Sequence, residues 1–138
     1  MIRYIVISII SGVLFGIIDG FINANPIAIK LFSIYSPIAR TGVNYIAGMI
    51  IDLVYGFVMA YLFIMLYKAL PTDNGIIKGI SYGLIMWFFR VFMYGISQWM
   101  ILEMDLKVLF YILITGLFEM LVLGVLYGIS LKDRIFYK

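Results

Sequence analysis

Four long apolar stretches, each interrupted by a single ionisable residue, dominate the hydrophobic pattern of the chain. The stretches cover residues 4–29, 41–67, 79–102 and 108–131, and the interrupting residues are Asp19, Asp52, Arg90 and Glu119. About 20 helical residues cross the ~30 Å hydrocarbon core of a bilayer, so each stretch is long enough to span it. The pattern predicts an all-α integral membrane protein, a bundle of four transmembrane helices at approximately residues 4–22, 43–67, 75–102 and 108–131.

The connection between the first two spans is itself apolar and predicts a short helix. Asn25 is placed to cap this helix, with Pro26 at its first position and Pro37 at its end. Lys30 is its only charged residue between positions 26 and 39. We interpret the segment as a helix lying in the outer membrane interface; a re-entrant segment lining a cavity is the alternative.

The overall composition agrees with a membrane protein and argues against a separate soluble domain. Hydrophobic residues make up 65% of the 138 residues and charged residues 12%, whereas soluble domains have about 25% charged residues. Since the predicted spans and their short connections account for most of the chain, we expect residues 1–138 to form a single polytopic membrane domain with the lipid bilayer as its main partner.

Basic residues are distributed unevenly between the two ends of the predicted spans. The side with both termini carries Arg3, Lys68, Lys78, Lys132, Arg134 and Lys138, and the other side carries Lys30, Arg40 and Lys107. The side richer in Lys and Arg is expected to be cytoplasmic. Both termini are therefore expected on the cytoplasmic side of the cell membrane. Because the basic residues form no stripe with interleaved aromatics, no nucleic-acid partner is expected.

The chain contains no Cys and no His. This excludes disulfides, thiol nucleophiles, Cys-held iron–sulfur clusters, His-ligated haem and the common zinc sites. We therefore expect no cofactor, no metal site and no catalytic residue of these kinds. Aromatic residues near the predicted span ends are typical of anchors at the membrane interface; they are Tyr4, Tyr67, Trp99, Tyr111 and Tyr127.

The four ionisable residues within the spans are predicted to meet in one layer. Residues counted from the cytoplasmic ends of the apolar stretches put Asp19 and Asp52 at one level, with Arg90 and Glu119 about one helical turn lower. A charge at mid-span costs ~2.5–3.5 kcal/mol, so such residues usually have a partner or a function. Further polar side chains expected near this layer are Tyr94, Ser97, Gln98 and Thr115.

Small residues lie beside each carboxylate at helical spacing, which predicts that the charges face other helices. The predicted packing residues are Gly12, Gly16, Gly20, Gly48, Gly56 and Gly116. The Gly12–Gly16–Gly20 face is also the candidate contact for a homo-oligomer. Arg90 is expected to pair either with Glu119, across the tight connection between the last two spans, or with Asp52.

One guanidinium cannot neutralise three carboxylates in a medium of low polarity. The surplus requires protonated carboxyls, a bound cation or a water-filled layer. Protonated carboxyls and bound cations are typical of coupled carriers, so the sequence favours a subunit of a proton- or cation-linked transporter or channel. The alternatives are an accessory or assembly subunit of a larger membrane complex, and a membrane enzyme that modifies a lipid or isoprenoid.

Overall fold

A computed structural model of the protein describes residues 1–38, 42 and 44–131. Within these residues every regular element is helical. The elements are α1 (Ile2–Ala24), α2 (Pro26–Phe32) with a 3₁₀ turn (Ser33–Tyr35), α3 (Tyr45–Leu66), α4 (Gly75–Trp87), a π-helical turn (Phe88–Phe92), α5 (Met93–Ile101) and α6 (Leu106–Ser130). The all-helical prediction is therefore confirmed for the described part of the chain.

Four helical segments of the described residues are long and apolar enough to cross a membrane. They are α1, α3, α6 and the continuous segment Gly75–Ile101, which combines α4, the π turn and α5. Their bounds agree with the predicted spans to within a few residues. Several residues used in the sequence predictions lie outside the described residues: Ala39, Arg40 and Val43, and the C-terminal Lys132, Asp133, Arg134 and Lys138.

Local capping chemistry explains where three of the helices begin. Ala28 N–H donates to Asn25 Oδ1 at 3.0 Å, and Pro26 takes the first helical position, so the helix predicted in this connection is confirmed. Its α-helical part ends at Phe32, before Pro37. In the same way Asn74 caps α4 and Asp105 caps α6. We call the end of the bundle formed by α2 and the start of α6 the α2 end.

The helices form two closely packed antiparallel pairs, α1 with α3 and α4 with α6, and contacts between α1 and α6 join the pairs. Glycines make the close approach possible, since a side chain at these positions would meet the opposite backbone. A Cβ added at Gly12 would lie 2.8 Å from Leu53 Cα. In the second pair a Cβ at Gly79 would meet the carbonyl oxygen of Gly124, and one at Gly124 that of Gly79.

Two of the predicted packing glycines have no such contact. A Cβ added at Gly20 or Gly48 would have no atom within 4 Å, so neither packs against another helix of the described chain, and their predicted packing role stays a prediction. Both lie about one turn beyond the contact between Gly16 and Asp52, toward the α2 end, where these positions no longer meet another helix. Conversely, α3 covers Gly12, so the face predicted for oligomer contact is partly used inside the chain.

An aromatic cluster joins both helix pairs toward the opposite end of the bundle. The Phe63 ring on α3 lies 5.2 Å from the Tyr82 ring and 5.9 Å from the Tyr127 ring. Tyr82 also donates its hydroxyl hydrogen to the Met59 carbonyl oxygen at 2.7 Å. Tyr127 is fully buried here, so its predicted role as a membrane-interface anchor is wrong, because its ring packs in the core.

Candidate functional site

A π-helical turn carries the one basic residue predicted for the charged layer. The Met93 N–H donates to the Phe88 carbonyl oxygen, five residues back, and Arg90 lies in the middle of this turn. π turns occur mostly as single interruptions of α-helices and frequently at functional sites. Val91 holds the turn against α6, since a Cβ added at Gly116 would lie only 2.6 Å from Val91 Cγ1.

The Arg90 side chain contacts three other helices. Its Nη1 lies 3.3 Å from Glu119 Oε2 on α6. The guanidinium carbon lies 4.5 Å from the ring centre of Phe15 on α1 and 4.6 Å from that of Tyr55 on α3. These two rings are stacked with centroids 5.4 Å apart, and both attract the cation through their π faces. Of the two expected partners, Arg90 therefore pairs with Glu119 and not with Asp52.

Glu119 is the most buried of the acidic residues in the predicted layer. Its side chain is 6% exposed. Whereas Oε2 pairs with Arg90, the other oxygen, Oε1, is buried and has no hydrogen-bond partner among the described residues. An unsatisfied buried oxygen of a charged group is costly. A proton on this oxygen would remove the charge and make it a donor, whereas a water molecule or a solute in the adjoining space would bring a hydrogen-bond donor to it.

A cavity of about 350 Å³ adjoins this ion pair. Its lining combines charged and polar side chains with aromatic rings and a few aliphatic residues. The polar and aromatic lining residues are Asp19, Asn23, Phe32, Tyr55, Arg90, Tyr94, Tyr111, Thr115 and Glu119. Because Asp19, Asn23 and Tyr94 are exposed, the cavity reaches the surface of the chain. Its walls carry two carboxylates and one guanidinium.

Asp19 lies at the mouth of this cavity rather than inside a buried layer. It is exposed, and Asn23 Nδ2 donates to its Oδ1 at 2.9 Å. The helix ends at Ala24, five residues beyond Asp19, so the carboxylate starts about 7.5 Å from the helix end at 1.5 Å per residue. Asp19 therefore lies near the α2 end of α1, as the predicted limits of this span, residues 4–22, also imply.

Asp52 lies against α1, outside the residues that line the cavity. A Cβ added at Gly16 would lie 2.7 Å from Asp52 Oδ2, so the carboxylate occupies the space that a side chain at Gly16 would need. Asp52 is therefore opposite Gly16, about one turn from Asp19, and the prediction that the two aspartates are level is wrong. The contacts of Gly12 and Gly56 set this offset between the antiparallel helices.

Only two of the four predicted supporting side chains line the cavity. Tyr94 and Thr115 do, and Thr115 Oγ1 donates to the Tyr111 carbonyl oxygen at 2.7 Å. Ser97 is exposed, with its hydroxyl bonded to the Met93 carbonyl oxygen, and neither Ser97 nor Gln98 is among the lining residues. Neither residue therefore belongs to the cavity wall; for Ser97, the π turn changes the helical phase after Arg90, so seven-residue spacing no longer returns to its face.

The sequence analysis missed Tyr111 as a cavity residue and placed it at the membrane interface. Its hydroxyl donates to the Ile22 carbonyl oxygen at 2.5 Å and accepts from Asn25 Nδ2 at 2.6 Å. Its ring meets Phe32 edge-on. Tyr111 thus joins α1, α2 and α6 at the α2 end of the cavity. Its position one turn before Thr115 and two turns before Glu119 was the signal that could have identified it.

The arrangement suits proton exchange at a buried carboxyl and the binding of a small solute. Among the described residues, no three His, Cys, Asp or Glu side chains are grouped closely enough to hold a metal ion.

No protein-family model, curated protein or solved structure matches the chain.

Proposed function

We propose that the protein is an integral protein of the cell membrane that acts in proton-linked transport, as a small carrier or channel subunit with both termini cytoplasmic. The observation that carries the proposal is Glu119, which is buried between helices with one oxygen bound to Arg90 and the other without a partner. Four helices of membrane-spanning length, with many exposed apolar side chains, support its location in a bilayer.

Glu119 is the proton-exchanging group in this proposal. When Glu119 is ionised, Arg90 compensates its charge; when it is protonated, the carboxyl donates a hydrogen bond into the cavity through the oxygen that is otherwise unsatisfied. Asp19 at the mouth provides an acceptor between Glu119 and the surface. Intramembrane carboxyls of this kind form the proton relays of pumps and transporters. The aromatic rings of Phe15 and Tyr55 hold the guanidinium in place during the exchange.

A proton fits this site better than a metal cation. Metal cations such as Ca²⁺ are held by several oxygen ligands, and among the described residues no three acidic side chains are grouped closely enough to hold one. The third acidic residue, Asp52, lies against Gly16 and does not line the cavity. We therefore propose transport that is linked to a proton rather than to a metal cation.

Proton flux into liposomes tests the proposal. The purified chain is reconstituted with a trapped pH-sensitive dye, and a potassium diffusion potential drives proton entry. We expect faster acidification than in protein-free liposomes, and we expect Glu119→Gln to return the rate to the protein-free level. Glu103→Gln is the matched control, because it makes the same change at an exposed carboxylate and should keep the wild-type rate. Wild-type flux in the Glu119→Gln variant would refute the proposal.

An accessory subunit of a larger membrane complex is the second candidate. Gly20 and Gly48 have open space beside them, and exposed apolar residues such as Phe21 and Met49 are their neighbours in sequence. A helix of another chain can approach closely at such small residues. Native mass spectrometry of the chain purified in mild detergent tests this candidate. A stoichiometric different chain would support it, whereas a monomer or a homo-oligomer would contradict it.

A further inference from the structure

We propose that the cavity binds a protonated amine with an apolar or aromatic body, and that this solute exchanges with the proton on Glu119. The inference rests on the proposed function and adds the chemical class of the transported solute. It follows from the sign of the charge in the cavity, the chemistry of its walls and the unsatisfied oxygen at its buried side.

The charges that line the cavity favour a cation. Asp19 and Glu119 contribute two carboxylates against the single guanidinium of Arg90. That guanidinium is already engaged, since one nitrogen pairs with Glu119 and its plane lies near two aromatic rings. The remaining negative charge is Asp19, which lies at the mouth, where it attracts a cation from solution.

The walls of the cavity suit the apolar body of such a cation. Tyr55, Tyr94, Tyr111 and Phe32 line it from four different elements. Aromatic rings bind organic cations through their π faces, more strongly when water is excluded. The volume of about 350 Å³ lies within the range of small-molecule sites, which are mostly apolar with a few placed polar groups.

The buried oxygen of Glu119 distinguishes an amine from a quaternary ammonium. Glu119 Oε1 has no hydrogen-bond partner among the described residues, and a protonated amine brings an N–H donor to it. A quaternary ammonium has no such donor and would leave the oxygen unsatisfied. A proton and an ammonium group would both occupy Glu119 Oε1, so binding of one displaces the other. This competition is the physical basis of an exchange.

Binding of three probes with the same aromatic body tests the inference. The full-length protein in detergent is titrated calorimetrically with 2-phenylethylamine, which is cationic at neutral pH, with neutral 2-phenylethanol and with anionic 3-phenylpropanoate. We expect the amine to bind at least about tenfold more tightly than either of the others, a difference of ~1.4 kcal/mol. In weakly buffered solution, amine binding should also release protons.

Three substitutions identify where the amine binds. Glu119→Gln and Asp19→Asn should each weaken amine binding by at least about tenfold, and Glu119→Gln should also abolish the proton release. Glu103→Gln, the exposed control, should leave both unchanged. Asp19 is exposed, and Asn23 can still bond an amide at this position, so Asp19→Asn tests the site even if Glu119→Gln fails to fold. A thermal unfolding curve for each variant separates lost binding from lost structure.

Several outcomes would overturn the inference. Equal binding of the amine and the alcohol would show that charge plays no part, and tighter binding of the anion would make Arg90 the recognition group. Glu119-dependent proton flux without amine binding would remove the amine as the solute class and leave the proposed transport standing. Amine binding that depends on Glu119 in a protein that moves no protons, either with or without the amine in the liposome assay, would support the amine site and contradict the proposed transport.

Discussion

Arg90 connects α1, α3 and α6 through a single guanidinium, by one carboxylate contact and two ring contacts. Buried ion pairs add little net stability, because desolvation of both charges opposes their attraction. Loss of one partner, by contrast, leaves an uncompensated buried charge. We infer that the role of this contact at the residue scale is to fix where Glu119 lies beside the cavity.

Lys78 is a residue whose surroundings the sequence did not reveal. The sequence pattern counted it only among the basic residues on the side of the termini, yet it is only 4% exposed. Its Nζ donates to the Tyr67 carbonyl oxygen at 2.6 Å and to that of Leu70 at 3.4 Å, and it lies 4.2 Å from the centre of the Tyr67 ring. Lys78 therefore satisfies carbonyls at the C-terminal end of α3, which lack intrahelical donors.

Replacement of Lys78 by Met should destabilise the protein. The apolar stem is kept, but carbonyl oxygens at the end of α3 lose a charged donor, and hydrogen bonds to charged groups contribute ~1.5–3 kcal/mol. We expect the free energy of unfolding to fall by this amount, as measured by denaturant titration in mixed micelles. Lys107→Met is the control, because Lys107 is exposed. Equal stability of the two variants would contradict the capping role of Lys78.

At the scale of elements, glycines determine how closely α4 and α6 approach. Gly75, Gly79 and Gly83 repeat every four residues along one face of α4, and Gly124 and Gly128 oppose them on α6. This repeat is visible in the sequence, although the sequence analysis gave weight only to the glycines that flank the ionisable residues. The contact fixes α4 against α6 before the chain reaches the π turn, and so contributes to placing Arg90 opposite Glu119.

Replacement of Gly79 by Ala should separate α4 from α6. The new methyl group would collide with the backbone of Gly124, and overpacking of this kind typically costs ~1–3 kcal/mol. The matched control is Gly20→Ala, where the added methyl group meets no atom within 4 Å. We expect a lower melting temperature for Gly79→Ala in detergent. For Gly20→Ala we expect an unchanged or slightly higher one, since Ala has a higher helix propensity than Gly. The reverse order would contradict the observed packing.

At the scale of the whole molecule, the space between the two helix pairs is filled differently at the two ends of the bundle. The ring cluster of Phe63, Tyr82 and Tyr127 fills the space toward one end, whereas the cavity lies nearer the α2 end. On α6, Tyr127 is eight residues from Glu119, a rise of about 12 Å. Glu119 therefore lies on the cavity side of the aromatic cluster, and a path from it to the opposite end has to pass this cluster.

The proposed orientation can be tested by labelling, because the chain has no natural Cys. Asp73→Cys and Glu103→Cys place single thiols at exposed positions in the connections at opposite ends of the bundle. In intact cells, a membrane-impermeant maleimide should label the thiol at position 103 and leave that at position 73 unlabelled until the cells are broken. This follows from the greater number of basic residues on the side of the termini. The opposite labelling pattern would invert the proposed topology.

Sequence patterns alone give the number, type and approximate limits of the long helices, and the capped start of α2. These features depend on local properties, namely the length of apolar stretches and the capping chemistry of residues such as Asn25 and Pro26. The same patterns also identify Arg90 and Glu119 as candidate partners, because each is the only ionisable residue in an apolar span and the short connection between the spans makes them adjacent.

Which of the predicted residues meet depends on how the helices pack. The offset between Asp19 and Asp52 depends on how α1 and α3 slide along each other, and contacts between residues far apart in the chain set that register. The π turn shifts the helical phase after Arg90, so the seven-residue spacing does not return Ser97 to the Arg90 face. The cavity exists because these segments leave space between them, which is a property of their packing and not of any one segment.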